Sequence, residues 1–306
     1  MFVGLFVVFI VDRYNTNRSV AFRIKEADIL LYRAKKWQSF VVKGVNMSPG
    51  GQGTDIGKAP VSKNEYGRIF RRLAAQDVNV IRVQSILSPD FYKALFEYNI
   101  LTNKPIYLFQ GVLLDSQDVK IYQNAYETRL NDNFTEVIRR TIDVLHGKAE
   151  LKQINGQGIG KYNVNVAPYV IGYNLLCDLD DEGFVTVTNE KNTDVVGFEG
   201  DYLYTENASP YEAWLAALGN FAVTYEQGKY GGPDRLVSWM SWEKTEPMAN
   251  YDNYDNEENS DDDEENNEKA NTKKAVVVNI DRVRVTEKYN AGILTPRQLR
   301  EKFAEL

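Results

Sequence analysis

Short apolar runs recur along the chain, each ending in polar or glycine residues. They are Val-Val-Lys-Gly-Val-Asn-Met over residues 41–47, Val-Asn-Val-Ile-Arg-Val over 78–83, Pro-Ile-Tyr-Leu-Phe-Gln-Gly over 105–111 and Tyr-Val-Ile-Gly-Tyr over 169–173. Between them, Ile69, Phe70, Leu73 and Ala74, and then Phe91, Leu95, Phe96 and Tyr98, are spaced for the apolar face of a helix. Strand, helix, strand, helix is the order of parallel strands joined by crossover helices. Strands are expected over 40–45, 78–83, 106–109, 169–176 and 236–242, with a lead-in strand over 27–32 that ends at the Lys35-Lys36 turn.

The punctuation fits this reading. Ser62 followed by Glu65 has capping-box spacing, so a helix starts there. Ser88-Pro89 and Ser209-Pro210 open two more, the second running to about Gln227, and a helix over 133–145 stops at His146-Gly147. Residues 179–208 read as a long polar excursion, 275–280 as a short strand and 295–303 as a terminal amphipathic helix. The expected fold class is therefore α/β, a (β/α)8 TIM-barrel-like chain with about five to six βα units where a closed barrel takes eight. The expected divisions are an N-terminal segment over 1–37, the βα domain over 38–249, an acidic linker over 250–274 and a C-terminal strand and helix over 275–306.

Composition narrows the function classes. The 306 residues are 43% hydrophobic and 12% aromatic, which is the make-up of a folded domain. The net charge of −7 is local: residues 252–268 hold ten Asp and Glu and no Lys or Arg, so the rest carries about +3. Nothing in that remainder resembles the basic stripe of a nucleic-acid binder, and that class is set aside. The acidic tract has too little apolar surface to offset its ordering entropy and reads as a solvated loop or linker. Its Asp261–Glu265 run lacks the glycine and spacing of a calcium loop, and no other metal-ligand spacing or cofactor motif is present. Cys177 is the only cysteine and lies in an apolar strand; His146 is its only candidate histidine partner. The apolar run over 1–11 is too short to span a bilayer and reads either as a signal-anchor, giving a secreted or membrane-anchored protein, or as a buried strand.

In a parallel arrangement the carboxyl ends of the strands gather Asn46, Arg82, Gln110, Asn174, Asp178, Trp242 and Glu243 on one rim. Amides, a guanidinium, carboxylates and aromatic faces together suit a hydroxyl-rich ligand, so the expected partner is a carbohydrate or polysaccharide. Asn174 and Asp178 are four residues apart and share a face while the chain stays extended. Glycoside hydrolysis needs two carboxyl groups, and Asp178 and Glu243 are the two on this rim. Spacing alone favours reading Asp178, Asp180, Asp181 and Glu182 as the charged start of a surface loop.

The ordered motifs Phe-Val-Val-Lys-Gly-Val-Asn-Met over 40–47, Asn-Val-Ile-Arg-Val over 79–83, Lys-Pro-Ile-Tyr-Leu-Phe-Gln-Gly over 104–111, Leu-His-Gly over 145–147, Tyr-Val-Ile-Gly-Tyr over 169–173 and Ser-Trp-Met-Ser-Trp over 238–242 resemble a bacterial family of membrane-anchored or secreted proteins with a TIM-barrel domain of glycoside-hydrolase type. The resemblance covers roughly residues 38–293. It implies an acid/base residue at the end of strand four, where Asp178 stands in place of the usual glutamate, and a sugar subsite shaped by Asn46 and Arg82. It also implies that strands seven and eight, with the nucleophile glutamate, are missing from this sequence. Two functions follow as expectations: a glycoside hydrolase with Asp178 as acid and Glu243 as substitute base, weak or inactive as it stands, or a non-catalytic carbohydrate-binding or cell-surface protein.

Overall fold

The structure, a computed structural model, describes residues 20–25, 28–47, 61–152, 158–177, 182–239, 282–294 and 303–304. It begins with an antiparallel meander of β1 (Ala21–Lys25), β2 (Asp28–Arg33) and β3 (Lys36–Ser39). Ala34 and Lys35 form its second turn at φ 52° and 64°. A two-residue hairpin demands this left-handed pair because its twist must match the strands.

Parallel strands and helices then alternate: β4 (Gly44–Met47), α1 (Lys63–Ala75), β5 (Val80–Val83), α2 (Pro89–Leu101), β6 (Tyr107–Leu113), α3 (Ser116–Tyr122) and α4 (Thr128–Leu145). A hairpin of β7 (Ala149–Leu151) and β8 (Gly160–Tyr162) precedes β9 (Val170–Cys177), α5 (Glu182–Lys191), β10 (Leu203–Thr205), α6 (Pro210–Tyr230) and β11 (Leu236–Trp239). β12 (Val283–Val285) pairs antiparallel with β10, and β13 (Phe303–Ala304) lies parallel to β4.

The main sheet runs β11-β9-β6-β5-β4-β13, every neighbour parallel. From β4 to β11 the spatial order follows chain order, so each crossover adds a strand on the same side. Right-handed crossovers of that kind put the connecting helices on one face. Beside β11, Ile293 makes a further parallel bridge to Val237. The fold is thus α/β with a parallel sheet, as the alternation of the sequence predicts.

The helices bury the faces their spacing dictates. α1 begins with a complete capping box between Ser62 and Glu65 and packs Tyr66, Phe70, Leu73 and Ala74 inward; α6 begins with a second box between Ser209 and Glu212. At the far end of α2, Asn99 is buried and takes both the N–H and the C=O of Ile106 at 2.8 Å, which fixes the entry to β6.

Several elements differ from the sequence expectation. The first parallel strand starts at Gly44 rather than residue 40, because the Asn79 side chain accepts from Lys43 N and donates to Val41 O, replacing the ladder over that stretch. β6 runs four residues further, to Leu113, and α4 starts at Thr128 after the separate α3. The polar excursion contains α5, which packs Phe184 against Tyr211 and Trp214. The expected strand over 275–280, the acidic linker and most of the terminal helix lie outside the described residues, while Phe303 and Ala304 are in a strand.

Candidate functional site

Alternation along each strand separates a helix-facing side from an inner face. Tyr173 bonds Glu226 of α6, and an added Cβ on Gly219 of α6 would meet Trp239 and Val237, so Tyr173, Val237 and Trp239 face the helices. Asn174 and Ser238, one step on, therefore face inward. The register carries this across the sheet: Asn46 stands opposite Arg82, Arg82 opposite Phe109, Gly111 opposite Asn174, and Asn174 opposite Ser238.

The result is a set of polar side chains on the inner face towards the carboxyl ends of β4, β5, β9 and β11, in strands that are otherwise apolar. Asn174 and Ser238 are buried, and Ser238 Oγ donates to Asn174 Oδ1 at 3.0 Å. That bond fixes which way the amide lies. Asn46 Oδ1 is buried with no hydrogen-bond partner among the described residues, an acceptor whose desolvation none of them offsets.

Gln110 is not part of this set. It alternates to the helix side, where its oxygen accepts from Tyr92 Oη at 3.0 Å and its nitrogen donates to Ser85 O and Gly111 O. It is fully buried with its bonding capacity spent inside the protein, so the rim position read from the sequence does not hold for it. Asp178, Trp242 and Glu243 lie outside the described residues.

The step from Asn174 towards Asp178 is not a simple extension of the strand. Leu176, fully buried, has φ 62°, and the register slips there: Val112 pairs with Leu175, but Leu113 pairs with Cys177. Leu176 is an inserted residue, a β-bulge that shifts the alternation by one. The two-residue alternation that turns Asn174 inward is therefore broken before Cys177, the last described residue of β9. A branched residue in the left-handed region costs about 1–3 kcal/mol, and such strain gathers near functional sites.

A second polar cluster sits at the amino ends of the strands and has no counterpart in the sequence reading. Glu226, buried on α6, accepts from His146 Nε2 at 2.9 Å, Tyr173 Oη at 2.7 Å and Arg235 Nε at 3.3 Å. Arg235 Nη1 also donates to Val170 O, and Tyr289 Oη donates to Arg235 O. His146 stacks on Tyr230 at 3.7 Å, so the histidine considered for Cys177 is held by Glu226 and Tyr230. Burial pushes the Glu226 carboxyl up, but the Arg235 charge and the bonds from His146 and Tyr173 outweigh it and hold it below its usual range. Burial and the Glu226 charge push the Tyr173 phenol well up. Every member of this cluster is satisfied, which marks it as a clasp between α4, α6, β9 and β11. Only the pairing of a lone histidine with a glutamate inside an apolar helix could have signalled it.

Among the described residues no group of His, Cys, Asp and Glu could hold a metal, and no helix is long and apolar enough to cross a membrane.

No protein-family model matches the sequence, and no curated protein matches it. Among solved structures the crystal structure of BpGH50 is similar, with 10% identity and a TM-score of 0.38. The similarity covers 78% of this chain and 60% of that one, so this chain spans less than two thirds of its length.

Proposed function

We propose that the inner face binds a saccharide and that the protein is glycoside-hydrolase-like, built on part or all of a (β/α)8 barrel. The observation that carries the binding is the polar set of Asn46, Arg82, Asn174 and Ser238, brought to one face near the strand carboxyl ends by the register. Sugars offer many hydroxyl donors and acceptors, and amide, guanidinium and hydroxyl groups at fixed spacing answer them. In parallel sheets ligands meet the carboxyl ends of the strands. The barrel reading is supported by the unbroken strand order, by Ile293 beside β11 and by β13 beside β4. An exported or membrane-anchored location belongs to the same proposal and rests on the apolar run over residues 1–11.

Hydrolysis would draw on Asp178 as acid and Glu243 as base or substrate contact. Asn46, Arg82 and Asn174 would hold the sugar, and Trp242 would stack on it. The described inner face itself contributes amides, a guanidinium and a hydroxyl, and this favours binding without turnover as the second reading. Binding to a polysaccharide array, followed by turnover of aryl glycosides by the wild type and by Asp178→Asn, separates the two. Binding with turnover abolished by Asp178→Asn supports the hydrolase; binding without turnover supports the second reading. No glycan retained by the wild type would sink both.

A further inference from the structure

We infer that the groove between α1 and α2 is the docking surface for the chain's own acidic tract, residues 252–268. The two partners are complementary in charge, and each is unusual within the protein. α1 carries Lys63, Arg68, Arg71 and Arg72 against the single carboxylate of Glu65. Every other described helix has at least as many carboxylates as cations, so α1 alone among them is basic. The tract has ten carboxylates and no Lys or Arg, in a chain whose remainder carries about +3.

The groove is shaped for an extended segment. It encloses about 660 Å³, with Lys63, Arg68 and Arg71 along one wall and Tyr98 and Leu101 along the other. Leu101 is 57% exposed, an apolar side chain left uncovered beside the cations. The floor is small: a Cβ added to Gly67 would meet only Arg71 Nη1, at 3.6 Å. Lys63 pairs with Glu97 at 2.8 Å, whereas Arg68 and Arg71 make no ion pair among the described residues.

The chain is long enough to reach. β11 lies three strand positions from β5 in the sheet, roughly 15 Å away, with the helix layer about 10 Å further out. The residues between Trp239 and Asp252 span up to about 40 Å when extended. A tethered segment also meets its site at an effective concentration in about the millimolar range. Single exposed ion pairs contribute little, but several carboxylates within one Debye length of several cations add together, and salt weakens them.

Zero-length carbodiimide coupling on the full chain tests this, because it joins a lysine amine only to a carboxylate in contact with it. Lys63 is expected to couple to residues 252–268 at low salt. The yield should fall about fivefold or more in 0.5 M NaCl, where the Debye length is below about 5 Å. Arg68→Glu with Arg71→Glu should lower it about tenfold, replacing attraction by repulsion, while Arg68→Lys with Arg71→Lys and the unrelated Arg139→Glu leave it unchanged. Coupling at Lys63 no stronger than at the exposed Lys104, or a yield indifferent to the charge reversal, overturns the inference. So do products joining heavy to light chains in an isotope-mixed sample, which would place a second copy's tract in the groove. Glycan binding plays no part in the readout.

Discussion

Ser238 donates its hydroxyl proton to the amide oxygen of Asn174 across two adjacent parallel strands, with both side chains buried on the inner face. The bond orients the amide on the face proposed to meet a sugar. Ser238→Ala removes that donor and is expected to destabilise the fold by about 1–3 kcal/mol. It should also weaken whatever glycan the wild type retains, while Ser238→Thr, which keeps the hydroxyl, preserves more of both. Urea midpoints and glycan affinity on the same samples check this; an affinity unchanged in Ser238→Ala would remove the orienting role.

Glu226→Ala is expected to cost about 3–5 kcal/mol, since it leaves Arg235 buried without its carboxylate. The same residue makes stability depend on pH. Its folded carboxyl titrates below the ordinary value, so its contribution is fully present above the unfolded-state pKa and is lost as pH falls through the folded value. Urea midpoints taken in steps from neutral pH into the acid range should fall, and Glu226→Gln should flatten the part of that slope due to this group.

Leu176 reverses the usual ranking of small substitutions. In an ordinary strand glycine is worse than alanine by about 0.5–1 kcal/mol. At φ 62° alanine keeps the left-handed strain that glycine relieves, so Leu176→Gly should be at least as stable as Leu176→Ala, although both lose the buried side chain. Chemical denaturation of the pair decides it; alanine clearly the better would mean that Leu176 is not held in this conformation.

Two glycines in α6 should respond to alanine with opposite signs. At Gly219 the new Cβ would lie 2.8 Å from Trp239 Cζ2 and 2.9 Å from Leu203 Cδ2, and the overpacking is expected to cost about 1–3 kcal/mol. At exposed Gly228 it would meet nothing within 4 Å, so helix propensity alone acts and stability rises by about 0.5–1 kcal/mol. Thermal midpoints of the two variants, measured side by side, test the packing of α6 against β10 and β11.

These effects mark what the sequence discloses and what it hides. The Ser62–Glu65 box, the parallel strands and Asn174 are legible because local chemistry alone sets them. α5 is not, since Val185, Thr186, Val187 and Thr188 favour strands and the helix owes its place to Phe184 packing on Tyr211 and Trp214. The Leu176 bulge leaves no trace either, because leucine is a poor choice for that conformation and only the surrounding sheet imposes it. Gln110 is misplaced by strand parity: a one-residue step carries a side chain from the inner face to the helix layer.

Phe22, Phe40 and Tyr107 meet edge to face, with ring centres 5.1 to 5.4 Å apart, where the meander lies against the start of β6. Tyr107 alternates to the inner face, so these rings stopper its amino end. Asn46, Arg82, Asn174 and Ser238 stand at the opposite, carboxyl end of that face. A saccharide bound as proposed would therefore approach the polar set from the carboxyl ends of the strands, the aromatic rings filling the other end of the face.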